Sequence, residues 1–474
     1  MSHDAIVIGA GTNGLVAAHL LARAGRRVLV IEQTDGRTDG PTDETGWVPP
    51  QVVADLSLAQ HGLRITTADP WAAVALDGGE RLELSSDMAR SVEAIRRLSP
   101  KDAAKWPEFC RRMHTLAGVL AELYSQPAPD VETTELGELL RLGLLGLRVK
   151  RMGRQGMIDL LRLLPMSIAD VLDEWFETDA LKAALGIAGV MHLRQGPRSG
   201  ATAFNFLHHH VGSPAGVFRL PQSNLGSVLV RLPGVEVRRG AAVRRIRVAQ
   251  GRVAGVVLDN GDDIAASLVI SSADPRATLL GLLEPGWLDP GFVRAVGNIK
   301  CRGVAAQVSL TLAAEPSFRT LAVAPSLTYL ERAYDDVKYG RASARPWLEA
   351  RAAGRRLDVH VQYVPHTTND RNALGDVVVK QLADHVPGLR ASITARAVLT
   401  PADLAAQGLT EGQRYHGELT LDQVLFMRPV AGWTRYRMPV RGLYLCGAGN
   451  HPGGGVAGGP GRLAARQILK DTTR

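Results

Sequence analysis

Residues Ala5–Glu32 read AIVIGAGTNGLVAAHLLARAGRRVLVIE, and this stretch decides the fold. Ala5 to Ile8 is a short apolar run, the pattern of a buried strand. Gly9, Gly11 and Gly14 follow as GxGxxG. Leu15 to Ala24 has the continuous apolar side of a helix, and Gly25 ends it. Val28 to Ile31 forms a second strand that closes on Glu32. Strand, glycines, helix, strand and acid in this order make a dinucleotide-binding βαβ unit. Gly9 allows the tight turn, Gly11 lets backbone approach a pyrophosphate, and Gly14 lets helix and strand pack closely. The helix N-terminus supplies free N–H groups and a positive dipole end that suit a phosphate. Glu32 stands where an acid accepts hydrogen bonds from ribose hydroxyls. An acid there disfavours a 2′-phosphate, which argues against NADP and leaves NAD and FAD. A βαβ unit without a ligand has the same outline, but the ordered run of features argues against chance.

The rest of the composition narrows the class. At 474 residues the chain is too long for one simple core, so two domains or one interleaved fold are expected. Hydrophobic residues make up 45%, a globular value. Cys110, Cys301 and Cys446 form no CxxC pair, which argues against a disulfide framework or a zinc site and suits a reducing compartment. The start, MSHDAIVIGAG, has no basic segment followed by an apolar core, and no apolar run reaches the roughly 18 residues of a membrane span. A cytoplasmic protein is expected. The net charge of +8 is compatible with nucleic acid, anionic lipid or acidic ligands. Nucleic acid is disfavoured, because no finger spacing or aromatic-basic RNA motif occurs and aromatics are only 5%.

A second glycine-rich unit lies more than 400 residues later. Val440–Leu469 reads VRGLYLCGAGNHPGGGVAGGPGRLAARQIL: a turn, a buried strand, a glycine loop and a helix. A nicotinamide enzyme has no use for such a closing element, whereas in a flavoprotein a helix N-terminus can face the flavin and stabilise the anionic reduced ring.

These residues, with RPVAGW (Arg428–Trp433) before them, resemble the phytoene desaturase-related group of the FAD-dependent amine oxidase superfamily. LLRLLPMSIADVLDEWFETDALKAALGIAGV (Leu160–Val190), GPRSGATAFNFLHHH (Gly196–His210) and VISSADPRATLLGLL (Val269–Leu283) carry the resemblance through most of the chain. It implies FAD as cofactor and a fold similar to carotenoid desaturases. It places Gly9, Gly11 and Gly14, with Thr12 and Asn13, at the FAD pyrophosphate and Glu32 at the adenosine ribose. Val243, in GAAVRRI, matches a strand whose backbone meets the adenine. Ala273 and Asp274 fall at a strand end near the nucleotide. Gly447, Gly454, Gly455 and Val456 fall at the pyrophosphate and the isoalloxazine.

Two segments depart from the group. Its RxGG segment after the ribose acid is replaced by TDGRTDGPTDETGW (Thr34–Trp47), in which Arg37 and Gly40 are partial substitutes. In LPQSNLGSVLVRLPGVEVRRG (Leu220–Gly240), Ser223 and Asn224 stand where the group has paired glycines, and few residues remain for the helix that follows.

The middle of the chain gives weaker signals. Leu136 to Leu164 combines apolar runs with Arg141, Arg148, Lys150, Arg151, Arg154 and Arg162. Peripheral contact with a membrane and an ordinary cap with a solvated basic face both fit this pattern. Consecutive His208, His209 and His210 cannot all face one ion on a regular element, so no metal is assigned and one or two of them are expected in the cavity. Val304–Leu312 and Asp358–Val364 alternate as strands, and His360, His366, Tyr363 and Tyr329 are candidate cavity groups.

The expectation is therefore an α/β chain of GR2-type flavoprotein organisation. A Rossmann-like FAD-binding domain would be built from 1–85, 215–285 and 412–474. An interleaved α+β substrate domain with a helical cap would be built from 86–214 and 286–411. The expected activity is an FAD-dependent oxidoreductase of desaturase, dehydrogenase or oxidase type, removing hydride from a C–H bond of an apolar small molecule. The alternative, motivated by the two departures, is a cofactor-poor relative acting as a redox-neutral enzyme or a scaffold partner in a biosynthetic complex.

Overall fold

Ala5–Ile8 and Val28–Ile31 are buried along their whole length and pair in parallel, Ile6 beside Leu29. A parallel strand covered on both faces reads as a continuous apolar run, which is why these two are so plain in the sequence. The computed structural model, which describes residues 3–35, 44–129 and 135–472, adds three strands from far along the chain. The sheet runs Leu443–Leu445, Leu268–Ser271, Ala5–Ile8, Val28–Ile31, Glu236–Arg238. The helices Thr12–Arg23 and Gly459–Thr472 cover one face, with Val16, Leu463 and Ile468 in its core. A three-stranded meander, Val243–Ala249, Arg252–Leu258 and Asp263–Ala265, covers the other. A side chain at Gly14 would run into the carbonyl of Gly9, so the strand and helix approach each other more closely than any other residue permits.

A second sheet has seven strands, in the order Ile393–Leu399, Ala305–Leu312, Arg356–Gln362, Leu348–Ala353, Thr320–Val323, Ala72–Ala75, Arg81–Leu84. Strands expected near 304–312 and 358–364 are present and pair antiparallel, Val308 opposite Val359. The sheet corrects one boundary. Residues 72–84, placed with the dinucleotide domain by the cut at 85, instead extend this second sheet through the parallel neighbours Ala322 and Val74. Its strands alternate strictly: Leu348, Ala350, Leu357, Val359 and Val361 enter a core under the helix Arg371–Ala383, while Glu349, Arg351, Asp358 and His360 point the opposite way.

The described parts of the segment, 86–129 and 135–214, are mainly helical. Pro100–Tyr124, Asp179–Val190 and Thr202–His208 bury an aromatic cluster of Trp106, Phe109, Phe176 and Phe206 against Phe218. Beside them, Leu136–Arg151 buries none of its residues.

Of the two departing segments, Arg37 and Gly40 lie outside the described residues. Ser223 and Asn224 have a structural account. Gln222–Ser223 forms the middle strand between Glu44–Thr45 and Ile65–Thr66. Asn224 accepts from the Arg64 N–H at 2.7 Å and donates to the Gly62 carbonyl at 3.1 Å. A two-turn helix, Leu225–Arg231, still fits after them.

Candidate functional site

A cavity of about 1070 Å³ lies between the two sheets. Gly11, Thr12 and Asn13 line one end, the charged face of the second sheet lines the other, and Gly453–Ala457 runs along its side. Its volume slightly exceeds what single small-molecule sites occupy, roughly 300–1,000 Å³.

The glycine end is made of backbone. The helix Thr12–Arg23 starts at Gly11 with no side-chain cap and no acid in its first turn, so its leading N–H groups are available to an anion. A side chain at Gly11 would meet nothing within 4 Å, which is the space a phosphate needs. Glu32 accepts from the Ala10 N–H at 2.7 Å and the Thr34 N–H at 3.0 Å, which holds the acid at the strand end. Val243 lies near it, because the Ala241 N–H donates to the Glu32 carbonyl at 3.0 Å. The Asn13 Oδ1 is buried without a partner, and an amide turned over would present its N–H groups there instead. These features fit a dinucleotide pyrophosphate. Glu44 runs against them: its carboxylate accepts from the Thr12 hydroxyl at the same place. Burial pushes the Glu44 carboxyl up, toward the neutral form that a phosphate tolerates.

The other expected cofactor residues gather along the same side. Ala273 follows Ser272, whose hydroxyl donates to the Ile8 carbonyl at 2.8 Å, and Gly447 packs on the backbone of Ser272. Tyr415 lies flat against Gly454, where no side chain would fit. Gly455 and Val456 are joined to Trp47: the Trp47 N–H donates to the Gly455 carbonyl at 2.8 Å, and Val456 bridges Trp47 in parallel. Gly454, Gly455 and Val456 line the cavity; Gly447 supports them from behind. Asp274 does not line it. Its carboxylate accepts from the Thr410 N–H at 2.9 Å and the Ala277 N–H at 2.8 Å, tying two segments together.

The three histidines separate. The Tyr124 hydroxyl donates to His208 Nδ1 at 2.9 Å, and His208 Nε2 donates to the Gly454 carbonyl at 2.8 Å, a relay from cap to glycine loop. His210 donates to the Val217 carbonyl at 2.6 Å. His209 alone lines the cavity; its Nδ1 donates to the Asn205 carbonyl at 2.9 Å, which leaves Nε2 to accept from the Tyr415 hydroxyl at 3.1 Å. Among the described residues no group of His, Cys, Asp and Glu could hold a metal ion. Of the other candidates, His360 lines the cavity and its Nε2 donates to the Gln362 side-chain Oε1 at 3.0 Å. Tyr363 and Tyr329 are spent on the carbonyls of Gln195 and Pro346, and His366 is exposed.

Of the far end, sequence reading found His360 and missed the charged groups around it. Arg219 and Glu349 are 4% and 3% exposed and pair at 3.1 Å; Arg351 pairs with the same carboxylate at 2.9 Å. Burial pushes Glu349 up, but Arg219 and Arg351 outweigh it and hold the acid at about 2. His192, Arg414 and Tyr415 complete this end. Burial depresses His209 and His360 to about 4 and holds His192 well below its ordinary value, so all three are neutral at pH 7.

A family model described as FAD dependent oxidoreductase matches residues 4–166. The chain is 30% identical to pyridine nucleotide-disulfide oxidoreductase domain-containing protein 2 of Rattus norvegicus, over 99% of this chain and 94% of that one. It is 26% identical to the hydroxyneurosporene desaturase of Rhodobacter capsulatus, over 99% of this chain and 98% of that one. Among solved structures, putrescine oxidase bound to putrescine is similar with a TM-score of 0.59 at 15% identity, covering 100% of both chains, a likeness of fold.

Proposed function

The chain belongs to the family of pyridine nucleotide-disulfide oxidoreductase domain-containing protein 2, and from that premise we propose that it removes hydride from a C–H bond of a small molecule with an apolar body. It is an FAD-dependent oxidoreductase of Rossmann-like fold, with phytoene desaturase-like and amine oxidase-like relatives. The cofactor-poor, redox-neutral alternative is not favoured by these relationships.

One observation carries the reading. A single cavity runs from Gly11–Asn13 past Gly453–Ala457 to the inner wall of the second sheet, so a dinucleotide at one end leaves room for a substrate at the other. In this assignment the backbone of Gly9, Gly11, Thr12, Asn13 and Gly14 holds the pyrophosphate. Glu32 takes the ribose and the Val243 backbone the adenine. Ala273, Gly447, Gly454, Gly455 and Val456 border the flavin. FAD supplies the two-electron acceptor, and dioxygen or a quinone reoxidises it. Met191, Leu220 and Ala306 offer apolar surface to the substrate. Hydride loss followed by proton loss from the neighbouring atom leaves a new double bond. His209 and His360, at about 4, are weak bases at neutral pH. The chain's part is then to position the C–H bond, exclude water and supply fixed hydrogen bonds.

A peripheral membrane contact is part of the proposal. Leu136, Leu140, Leu144 and Leu161 are 74%, 62%, 65% and 67% exposed, among basic side chains. Among the described residues no helix is long and apolar enough to cross a membrane, so contact would be along a surface. A cytoplasmic setting is supported by the three free, buried thiols.

The test is the visible absorption spectrum of the purified protein before and after addition of FAD, followed by anaerobic bleaching with a panel of apolar substrates. Flavin bands that survive desalting are expected. A colourless protein that cannot be reconstituted would overturn the proposal.

A further inference from the structure

Deepening that reading, and resting on it for the reaction, we infer that the cavity end opposite the glycines is a carboxylate subsite, in which Arg414, with His192 beside it, holds the acid group of an otherwise apolar substrate.

The argument starts from charge. The buried and half-buried arginines of the sheet wall have carboxylate partners within the protein: Arg219 and Arg351 share Glu349 at 3.1 and 2.9 Å, and Arg356 pairs with Asp358 at 2.9 Å, while Arg319 at the rim is exposed. Arg414 lines the same cavity and makes no hydrogen bond or ion pair with any described residue. A buried cation without a partner is costly, and burial lowers the Arg414 pKa for that reason. Arg414 is half-buried and lines the cavity, where an anion arriving beside it removes the penalty.

The surroundings hold the group in place. Gln413 donates to the His192 carbonyl at 3.1 Å and accepts from the Tyr415 N–H at 3.0 Å, so the backbone on both sides of Arg414 is fixed. His192 adopts φ +59, in the left-handed region, where a non-glycine residue is strained. Its ring meets Tyr415 at 4.7 Å and His360 at 5.2 Å, and its nitrogens have no protein partner among the described residues. A neutral imidazole can donate one further hydrogen bond to a carboxylate oxygen.

The ligand chemistry follows. A guanidinium presents parallel donors that match a planar carboxylate. The single charge and two in-plane oxygens of a carboxylate match one such fork, and inorganic phosphate is the competing anion that the test includes. The cofactor's own phosphates are accounted for by the helix N-terminus at Gly11–Thr12.

The test uses the holoenzyme and calorimetric titration with cyclohexanecarboxylate, benzoate and octanoate, each against its neutral amide, in wild type, R414Q and R414K. Wild type should prefer each acid by roughly 30-fold or more. R414Q should abolish the preference without changing amide affinity or flavin content, and R414K should restore part of it. Equal binding of acids and amides by wild type overturns the subsite. So does a preference that survives in R414Q, loss of flavin from R414Q with acid binding intact, or inorganic phosphate displacing the acids more strongly than they bind. Calorimetry needs no flavin. A colourless protein that still discriminates acids would sink the oxidoreductase reading alone, and a yellow one that does not would sink the subsite alone.

Discussion

The two ends of the cavity are built on different principles. At the glycine end, backbone does the binding: Gly11, Thr12 and Asn13 open a helix onto empty space, and one contiguous stretch of chain makes nearly all of it. At the arginine end, side chains do it. Arg219, Glu349, Arg351, His360 and Arg414 come from four separated segments, and within this wall Glu349 answers both Arg219 and Arg351. The first end is generic and suits a cofactor shared by many proteins. The second is specific, because each charge there must be answered by a particular partner, and that suits a substrate.

The largest effect should come from breaking that balance. Glu349→Leu leaves Arg219 buried without compensation and should cost about 3–5 kcal/mol in equilibrium denaturation, whereas joining it to Arg219→Met should recover most of the loss. Unchanged stability in the single variant would show that the wall is not a charge network. The acid limb of stability should tell the same story. Glu349 sits at about 2 against an ordinary 4.5, so its contribution is complete above 4.5 and is lost as the pH falls toward 2.

Next in size is Gly11→Asp. A Cβ at this position meets no protein atom within 4 Å, so far-UV circular dichroism should not change, while FAD should bind about 100-fold more weakly. Retained flavin would mean that this end does not hold the phosphates.

A smaller effect is expected at Glu44, the acid at the glycine end. Burial raises its folded value above the ordinary 4.5, and an approaching phosphate would raise it further. FAD affinity should therefore fall as pH rises through the folded value of Glu44. In Glu44→Gln the profile should be flatter and the binding at pH 7 tighter, by about 1 kcal/mol. A wild-type profile as flat as the variant's would remove Glu44 from the phosphate site.

The smallest effect on either end belongs to the outer helices. Replacing Leu140 and Leu144 with Ser should change stability by no more than about 0.5 kcal/mol and leave flavin content alone. It should abolish cosedimentation with vesicles containing phosphatidylserine, binding that in wild type weakens as salt is raised. Wild-type protein that ignores such vesicles at low salt would leave this face as an ordinary cap.

The sequence by itself determined the glycine end and the fold around it. GxGxxG, the apolar runs on either side and Glu32 are consecutive, and their physics is local: a tight turn, a close helix–strand contact, a free helix N-terminus. The second glycine unit was equally plain, and only its place beside the first, with Leu443–Leu445 one strand away from Ala5–Ile8, needed the structure. The arginine end was decided by tertiary structure. In LEARAA (Leu348–Ala353), alternation says that Glu349 and Arg351 share a face, and in isolation that face reads as solvated. Alternation fixes which residues point together; it does not fix whether water or protein lies above them. Residues 192, 209, 219 and 414 arrive over that face from other parts of the chain. Their cover turns an ordinary charged strand into a buried network, with Arg414 beside it and without a partner among the described residues.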